Sequence, residues 1–109
     1  MRKLKVYEPK EIKTVYISGR ITGIPLSEAK RNFEEAEALL LEKGYTPVNP
    51  MKNNHEPDSK DWTDHMLEDI ESLMRCDGIL MLTNWQLSKG ARIEHYIAVE
   101  MGITIVTKL

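Results

Sequence analysis

Four short runs of apolar and β-branched residues alternate along this chain with three longer stretches in which apolar residues recur at helical spacing. The runs are residues 14–18, 46–48, 78–83 and 103–106. The third, Gly78-Ile79-Leu80-Met81-Leu82-Thr83, is apolar at nearly every position instead of every second one. A strand covered on both faces reads this way, and such strands belong to parallel sheets sandwiched between helices. The order strand, helix, strand, helix, strand, helix, strand therefore predicts an α/β chain. The expected architecture is a three-layer sandwich with a parallel sheet of four or five strands, flavodoxin- or Rossmann-like, joined by right-handed crossovers. In such folds ligands bind beyond the carboxyl ends of the strands, where the strand order reverses.

The helical stretches carry their own punctuation. Ser27 reads as the N-cap of a first helix with Ala29, Phe33, Ala36, Leu39 and Leu40 on one face, and Gly44 closes it. Asp61 reads as the cap of a second helix carrying Trp62, Met66, Ile70, Leu73 and Met74. A third helix runs from about Ser88 to Met101 and ends at Gly102. Residues 51–60 are polar and proline-containing, hence a loop. Residues 1–12 alternate in charge and read as a loosely ordered lead-in, leaving residues 13–109 as a single domain. A chain of 109 residues has no room for a second core.

Composition narrows the partners. Fifteen Lys and Arg stand against seventeen Asp and Glu, a net charge of -2, so there is no general attraction to a nucleic-acid polymer. Cys76 is the single cysteine, which excludes an intrachain disulfide and reads as a packed core thiol. The basic N-terminus lacks the apolar run of a secretory signal, and no stretch approaches the roughly 18 apolar residues of a membrane span. The expected compartment is cytoplasmic and the expected partner a small molecule. Ile93, Ile97 and Met101 form an apolar stripe that either pairs helices across a two-fold axis or covers the sheet. A homo-oligomer, dimer or higher, is the expectation from a chain this short.

Three strand-end loops concentrate the polar residues: Ser18 to Gly23, Asn49, and Asn84 to Gly90. Parallel strands bring all three to one edge of the sheet. Glu94, in the second turn of the third helix, faces that edge, and Asp69 on the preceding helix reaches the same crevice if the two helices pack side by side. The result is a pair of carboxylates above a glycine-bearing, phosphate-friendly loop. Taken singly, each residue reads more simply: Gly19 and Gly23 as tight turns, Asp69 and Glu94 as solvated charges. Likewise His65 and His95 read as surface or packing residues and His55 as a loop residue. Trp62 and Trp85 read as cover for the core or the rim of the site. No metal-ligand spacing and no cofactor signature is present.

Taken together, Val15-Tyr16-Ile17-Ser18-Gly19-Arg20-Ile21-Thr22-Gly23, then Gly44-Tyr45-Thr46-Pro47-Val48-Asn49-Pro50, Asp69 ahead of Cys76-Asp77-Gly78, and Ser88-x-Gly90-x-x-x-Glu94 before Ala98 and Gly102 occur in one order. This series resembles the nucleoside 2-deoxyribosyltransferase superfamily. Within it the chain is most similar to the domain-of-unknown-function 4406 family and, more distantly, to the 2′-deoxynucleoside 5′-monophosphate N-glycosidases. The resemblance spans about residues 13–106.

The resemblance implies an N-glycosidase or deoxyribosyltransferase that cleaves the base–sugar bond of a deoxynucleoside 5′-monophosphate or deoxynucleoside. Glu94 matches the nucleophile, which bonds to the anomeric carbon in retaining glycosidic chemistry. Asp69 matches the acid that protonates the leaving base, and Tyr16 a tyrosine that orients the nucleophile. Ser88 falls where free-nucleoside enzymes carry an aspartate and monophosphate glycosidases a serine. It thus implies a phosphorylated ligand, aided by Gly19, Arg20, Thr22 and Gly90, with Ser18, Gly23 and Asn49 also lining the site. Ser88 serves equally as an ordinary N-cap. Arg92 departs from the family pattern, which often has glycine there. It reads as a further phosphate contact, a solvent-facing cation or an obstruction. The alternative expectation is a non-catalytic nucleotide-binding or sensing module of the same fold.

Overall fold

A computed structural model describes residues 11–52, 61–107 and 109. The central element is β1 (Thr14–Ser18), flanked by β2 (Thr46–Val48) on one side and β3 (Gly78–Met81) on the other, with β4 (Thr104–Ile105) outside β3. All pairings are parallel and the strand order is β2-β1-β3-β4. The expected α/β sandwich is present, with four strands in the flavodoxin-like order. The chain leaves β1 in one direction to form β2 and returns past it to form β3, so the order reverses between β1 and β3.

The pleat of β1 sends its side chains alternately to two cores. Val15 and Ile17 pack with Phe33, Ala36 and Leu40 of α1 (Leu26–Glu42) and with Val106. Tyr16 faces the other way, into a cluster with Leu73 of α2 (Trp62–Met74), Ile79 of β3 and Ala98 of α3 (Lys89–Met101). One helix thus covers one face and two cover the other. Because β1 is central, Val15, Tyr16, Ile17 and Ser18 have no exposure at all. Asp77 registers the start of β1 against β3: its Oδ2 accepts from the Lys13 and Thr14 amides at 3.1 and 3.2 Å.

Helix ends follow the expected signals with one correction. Asp61 caps α2 in a full capping box with Asp64, and Gly102 ends α3 at φ 70°. Gly44 follows α1 with φ 90°. Ser27, by contrast, is not the cap of α1. That helix begins one residue earlier, at Leu26, with Pro25 in the cap position and no capping side chain. Proline's fixed φ and the Pro25 carbonyl, which accepts from Glu28 and Ala29 at 3.0 Å, start the helix instead. β3 and β4 are shorter than their apolar runs, ending at Met81 and Ile105. The loop expected over residues 84–87 contains a 3₁₀ turn at Trp85–Leu87, and another follows β2 at Pro50–Lys52. His55 and most of the 51–60 loop lie outside the described residues, as does most of the 1–12 lead-in. Of the apolar stripe on α3, Ile97 covers the sheet; Met101 is exposed, as are Tyr96 and Val99. Among the described residues no helix is long and apolar enough to cross a membrane.

Gly19, directly after β1, lies in close contact with the segment that follows β3. A Cβ there falls 2.7 Å from Leu82 Cδ1 and 2.9 Å from Leu82 Cβ, while the Leu82 amide donates to the Ser18 carbonyl at 2.8 Å. Gly19→Ala is expected to destabilise the fold by about 1–3 kcal/mol through overpacking. In denaturant melts, combining it with Leu82→Ala should cost less than the sum of the single changes, because the clash with Leu82 Cγ and Cδ1 is then removed and only that with its Cβ stays. Strict additivity would show that the crowding at Gly19 is not with Leu82 Cγ and Cδ1.

Candidate active site

At the carboxyl edge of β1 and β3, a cleft of about 460 Å³ opens between the β1–α1 loop and the first turns of α2 and α3. Its floor is polar although it lies in the core. Glu94, 5% exposed, sits there with one carboxylate oxygen on each of two hydroxyls. Tyr16 Oη donates to Oε2 at 2.7 Å and Ser18 Oγ donates to Oε1 at 2.6 Å. Both donors come from one face of β1, two residues apart, which is the spacing the pleat allows. Asp69, also 5% exposed, lines the same floor from α2.

Burial is the leading influence on Glu94. It pushes the carboxyl from 4.5 up to about 7, against the pull of the Ser18 and Tyr16 hydrogen bonds and with a further upward push from the charge of Asp69. Burial, then the charge of Glu94, raises the Tyr16 phenol well above its ordinary value of 10.0. Tyr16 therefore remains a hydrogen-bond donor across the working range of pH. Cys76 is pushed up to about 11, chiefly by burial. Its thiol donates to the Ser72 carbonyl at 3.3 Å and stays protonated, as a packed core cysteine does.

The two helices reach the floor because they pack closely near their starts. A Cβ on Gly90 would lie 3.1 Å from Met66 Sδ, so glycine lets the first turn of α3 settle against α2. Ser88 caps α3, its Oγ accepting from the Ala91 amide at 3.1 Å, and it also lines the cleft. That first turn, residues 88–91, lines the cleft, and the first amides of a helix lack partners within it. Gly19 and Thr22 line the opposite wall with Ile21 and Phe33.

The structure thus brings Tyr16, Gly19, Asp69, Ser88, Gly90 and Glu94 to one cleft, with Thr22 at its wall and Ser18 beneath Glu94. Besides Ser18, four residues that the sequence placed in or near the site fall outside the lining: Arg20, Gly23, Asn49 and Arg92. Arg20 Nε donates to the Thr22 carbonyl at 3.2 Å, and its guanidinium lies over Gly23; together they shape the β1–α1 loop. Asn49 is buried, but its Oδ1 accepts from the Met51 amide at 3.0 Å, forming the turn after β2. It is Pro50 that meets the cleft. Arg92 points away: its Nη1 donates to the Gln86 carbonyl at 2.7 Å, fastening the 3₁₀ turn to α3. It neither obstructs the cleft nor lines it.

Other lining residues escaped the sequence. His65, Met66 and Lys89 all face the cleft. Trp62 also lines it, at the rim, one of the two places expected for it. The spacing Trp62, His65 or Met66, Asp69 is a helical stripe and was visible in principle; its direction was not. Trp85 stacks on His95 with ring centroids 4.4 Å apart, so that histidine packs as expected.

The family described as domain of unknown function (DUF4406) matches residues 13–107. This chain belongs to it. The DUF4406 domain shares its fold with the 2-deoxyribosyltransferase of Bacillus psychrosaccharolyticus, at 18% identity and a TM-score of 0.66, over 84% of this chain and 69% of that one. It is similar also to the 2-deoxyribosyltransferase of Leishmania mexicana, at 22% identity and a TM-score of 0.63, over 87% of this chain and 63% of that one. The DUF4406 domain therefore spans about two thirds of the length of these structures. No curated protein matches the chain.

The raised Glu94 has a consequence for stability. Because the fold holds the proton more tightly than the unfolded chain does, this group's contribution is fully present below pH 4.5. It is lost as the pH rises to about 7. Glu94→Gln removes the titration. Relative to the parent, the variant should gain about 3 kcal/mol of unfolding free energy between pH 4.5 and about 8. Denaturant melts across that range check this; a difference that does not vary with pH would contradict the buried-carboxylate account.

Proposed function

We propose that this domain cleaves the bond between base and sugar in a deoxynucleoside 5′-monophosphate, with Glu94 as nucleophile and hydrolysis ahead of transfer. The observation that carries the reading is the Glu94 carboxylate at the cleft floor, held by Tyr16 and Ser18 and accompanied by Asp69. A carboxylate that burial has pushed up to about 7 is less well stabilised as an anion than one in water. It gains more by forming a bond. In the first step a Glu94 oxygen bonds to the anomeric carbon as the carbon–nitrogen bond breaks, and Asp69 passes its proton to the departing base. In the second, water attacks the same carbon, gives a proton to Asp69 and releases Glu94; a second base in place of water completes transfer.

The hydroxyls have a defined part in this scheme. Two hydrogen bonds hold the carboxylate in one rotamer and draw its titration down from where burial alone would set it. The fold shared with two 2-deoxyribosyltransferases supports the assignment. Ser88 at the cleft wall supports a phosphorylated ligand, since a hydroxyl and free amides accommodate a phosphate that a carboxylate would repel. Self-association, as a dimer or higher, belongs to the same reading; of the stripe Ile93, Ile97 and Met101, Met101 is exposed, as are Tyr96 and Val99.

Incubation with a panel of deoxynucleoside monophosphates, followed by chromatography for free base, tests the proposal. Glu94→Ala should lower base release by about 10³-fold or more, and Asp69→Asn by about 10²–10⁴-fold, least for the best leaving bases. Saturable binding without release of base or base exchange would instead identify a nucleotide-binding module.

The pH profile offers a separate check. The ascending limb of kcat/KM with pH should follow the ionisation of Glu94, at about 7. Tyr16→Phe and Ser18→Ala each remove a donor to the carboxylate, so the limb should move to higher pH in both variants. Movement in the opposite sense, or none, would show that this limb is not the ionisation of Glu94.

A further inference from the structure

Among the described residues lining the cleft, Lys89 is the one lysine or arginine, while the floor holds the carboxyl groups of Asp69 and Glu94. Its ammonium lies 4.7 Å from the centroid of the Trp62 ring, and Trp62, 42% exposed, forms the rim. Lys89 is the first residue of α3 and Trp62 the first of α2. The contact therefore spans the mouth from one helix start to the other. Asp69 lies seven residues further along α2 and Glu94 five residues further along α3. At 1.5 Å per residue, the mouth stands roughly 8–10 Å above the acidic floor.

This placement does little for the fold. A cation in the first turn opposes the helix dipole, and an ammonium over an exposed ring gains little. It does suit a ligand with two ends of different character. A sugar whose anomeric carbon meets Glu94 presents that carbon to the floor, and a phosphate on its 5′ oxygen extends away, toward the mouth. The anion then lies far from both carboxyl groups and beside the Lys89 ammonium.

We propose that Lys89 is the residue by which this cleft selects a 5′-phosphorylated ligand over the unphosphorylated nucleoside, its ammonium turning from the Trp62 ring to the phosphate. The inference rests on reading the cleft as a deoxynucleotide site and adds the side chain that sets its preference. A lysine–phosphate contact is charge-assisted, and losing one weakens binding about ten- to a hundredfold. It is also screened by salt.

Calorimetric titration of the Glu94→Gln protein, which does not consume its ligand, provides the test, with a deoxynucleoside 5′-monophosphate and the matching deoxynucleoside as probes. In that background Lys89→Met keeps the aliphatic stem and removes the charge. The preference for monophosphate should fall about tenfold or more in Lys89→Met and persist in Lys89→Arg. Added salt should weaken monophosphate binding less in Lys89→Met than in its Lys89 parent. An unchanged preference in Lys89→Met overturns this inference alone. Failure of the native chain to release base, with the Lys89-dependent preference intact, overturns the glycosidic reading alone. If neither probe binds, both fall.

Discussion

A carboxylate withdrawn from water must be compensated by donors, and the compensation of Glu94 comes from two hydroxyls on one strand. Tyr16 and Ser18 occupy alternate positions of β1, the strand with neighbours on both sides and helices on both faces. Their backbone is fixed by ladders to β2 and β3, so the hydroxyls are held by the most constrained part of the chain. The same pleat that aims them at Glu94 aims Val15 and Ile17 into the α1 core. One strand thus supplies the donors for the carboxylate and a large share of the opposite core.

The two helices on the site face work as a pair. Each starts at the open edge of the sheet and descends into the molecule, carrying a carboxyl group to the floor and an aromatic or cationic residue at the rim. Their close approach depends on Gly90, which has no side chain to hold the Met66 thioether off. Burial and the proximity of Asp69 then raise Glu94, while the hydroxyls limit the rise. Which influence prevails is clear from the outcome: desolvation outweighs two short hydrogen bonds.

Much of this was legible in the residues themselves. The apolar run at 78–83 announced a doubly covered strand, and the parallel sheet that it implied put the ligand edge at the carboxyl ends of the strands. The spacing of Ser88 from Glu94 marked the end of α3 that meets the cleft. Other parts depend on tertiary packing and left no local trace. Lys89 reads as a solvated lysine until α2 is laid beside α3 and Trp62 arrives next to it. His65 and Met66 share a stripe with Asp69, yet only the packing shows that this stripe faces the cleft. Arg20 and Asn49 were drawn toward the site by their neighbours in sequence, while Arg92 was left open between a phosphate contact, a solvent-facing cation and an obstruction. Each instead satisfies a backbone amide or carbonyl nearby, a local demand that a motif conceals. Ser27 has a good capping side chain, but Pro25 before it had already started the helix.

The pairing of Glu94 with Tyr16 and Ser18 bears on how the chain finds its native arrangement. Sliding β1 by one residue against its neighbours would exchange its two faces. Val15 and Ile17 would then meet Glu94, and a tyrosine would point into the α1 core. Hydrophobic burial alone distinguishes these arrangements poorly, because both faces of β1 are covered. The polar contact distinguishes them sharply, since a buried carboxylate without donors costs several kcal/mol. The carboxylate thus acts as a register pin, so that a misaligned sheet is penalised at the same place where the site would be spoiled.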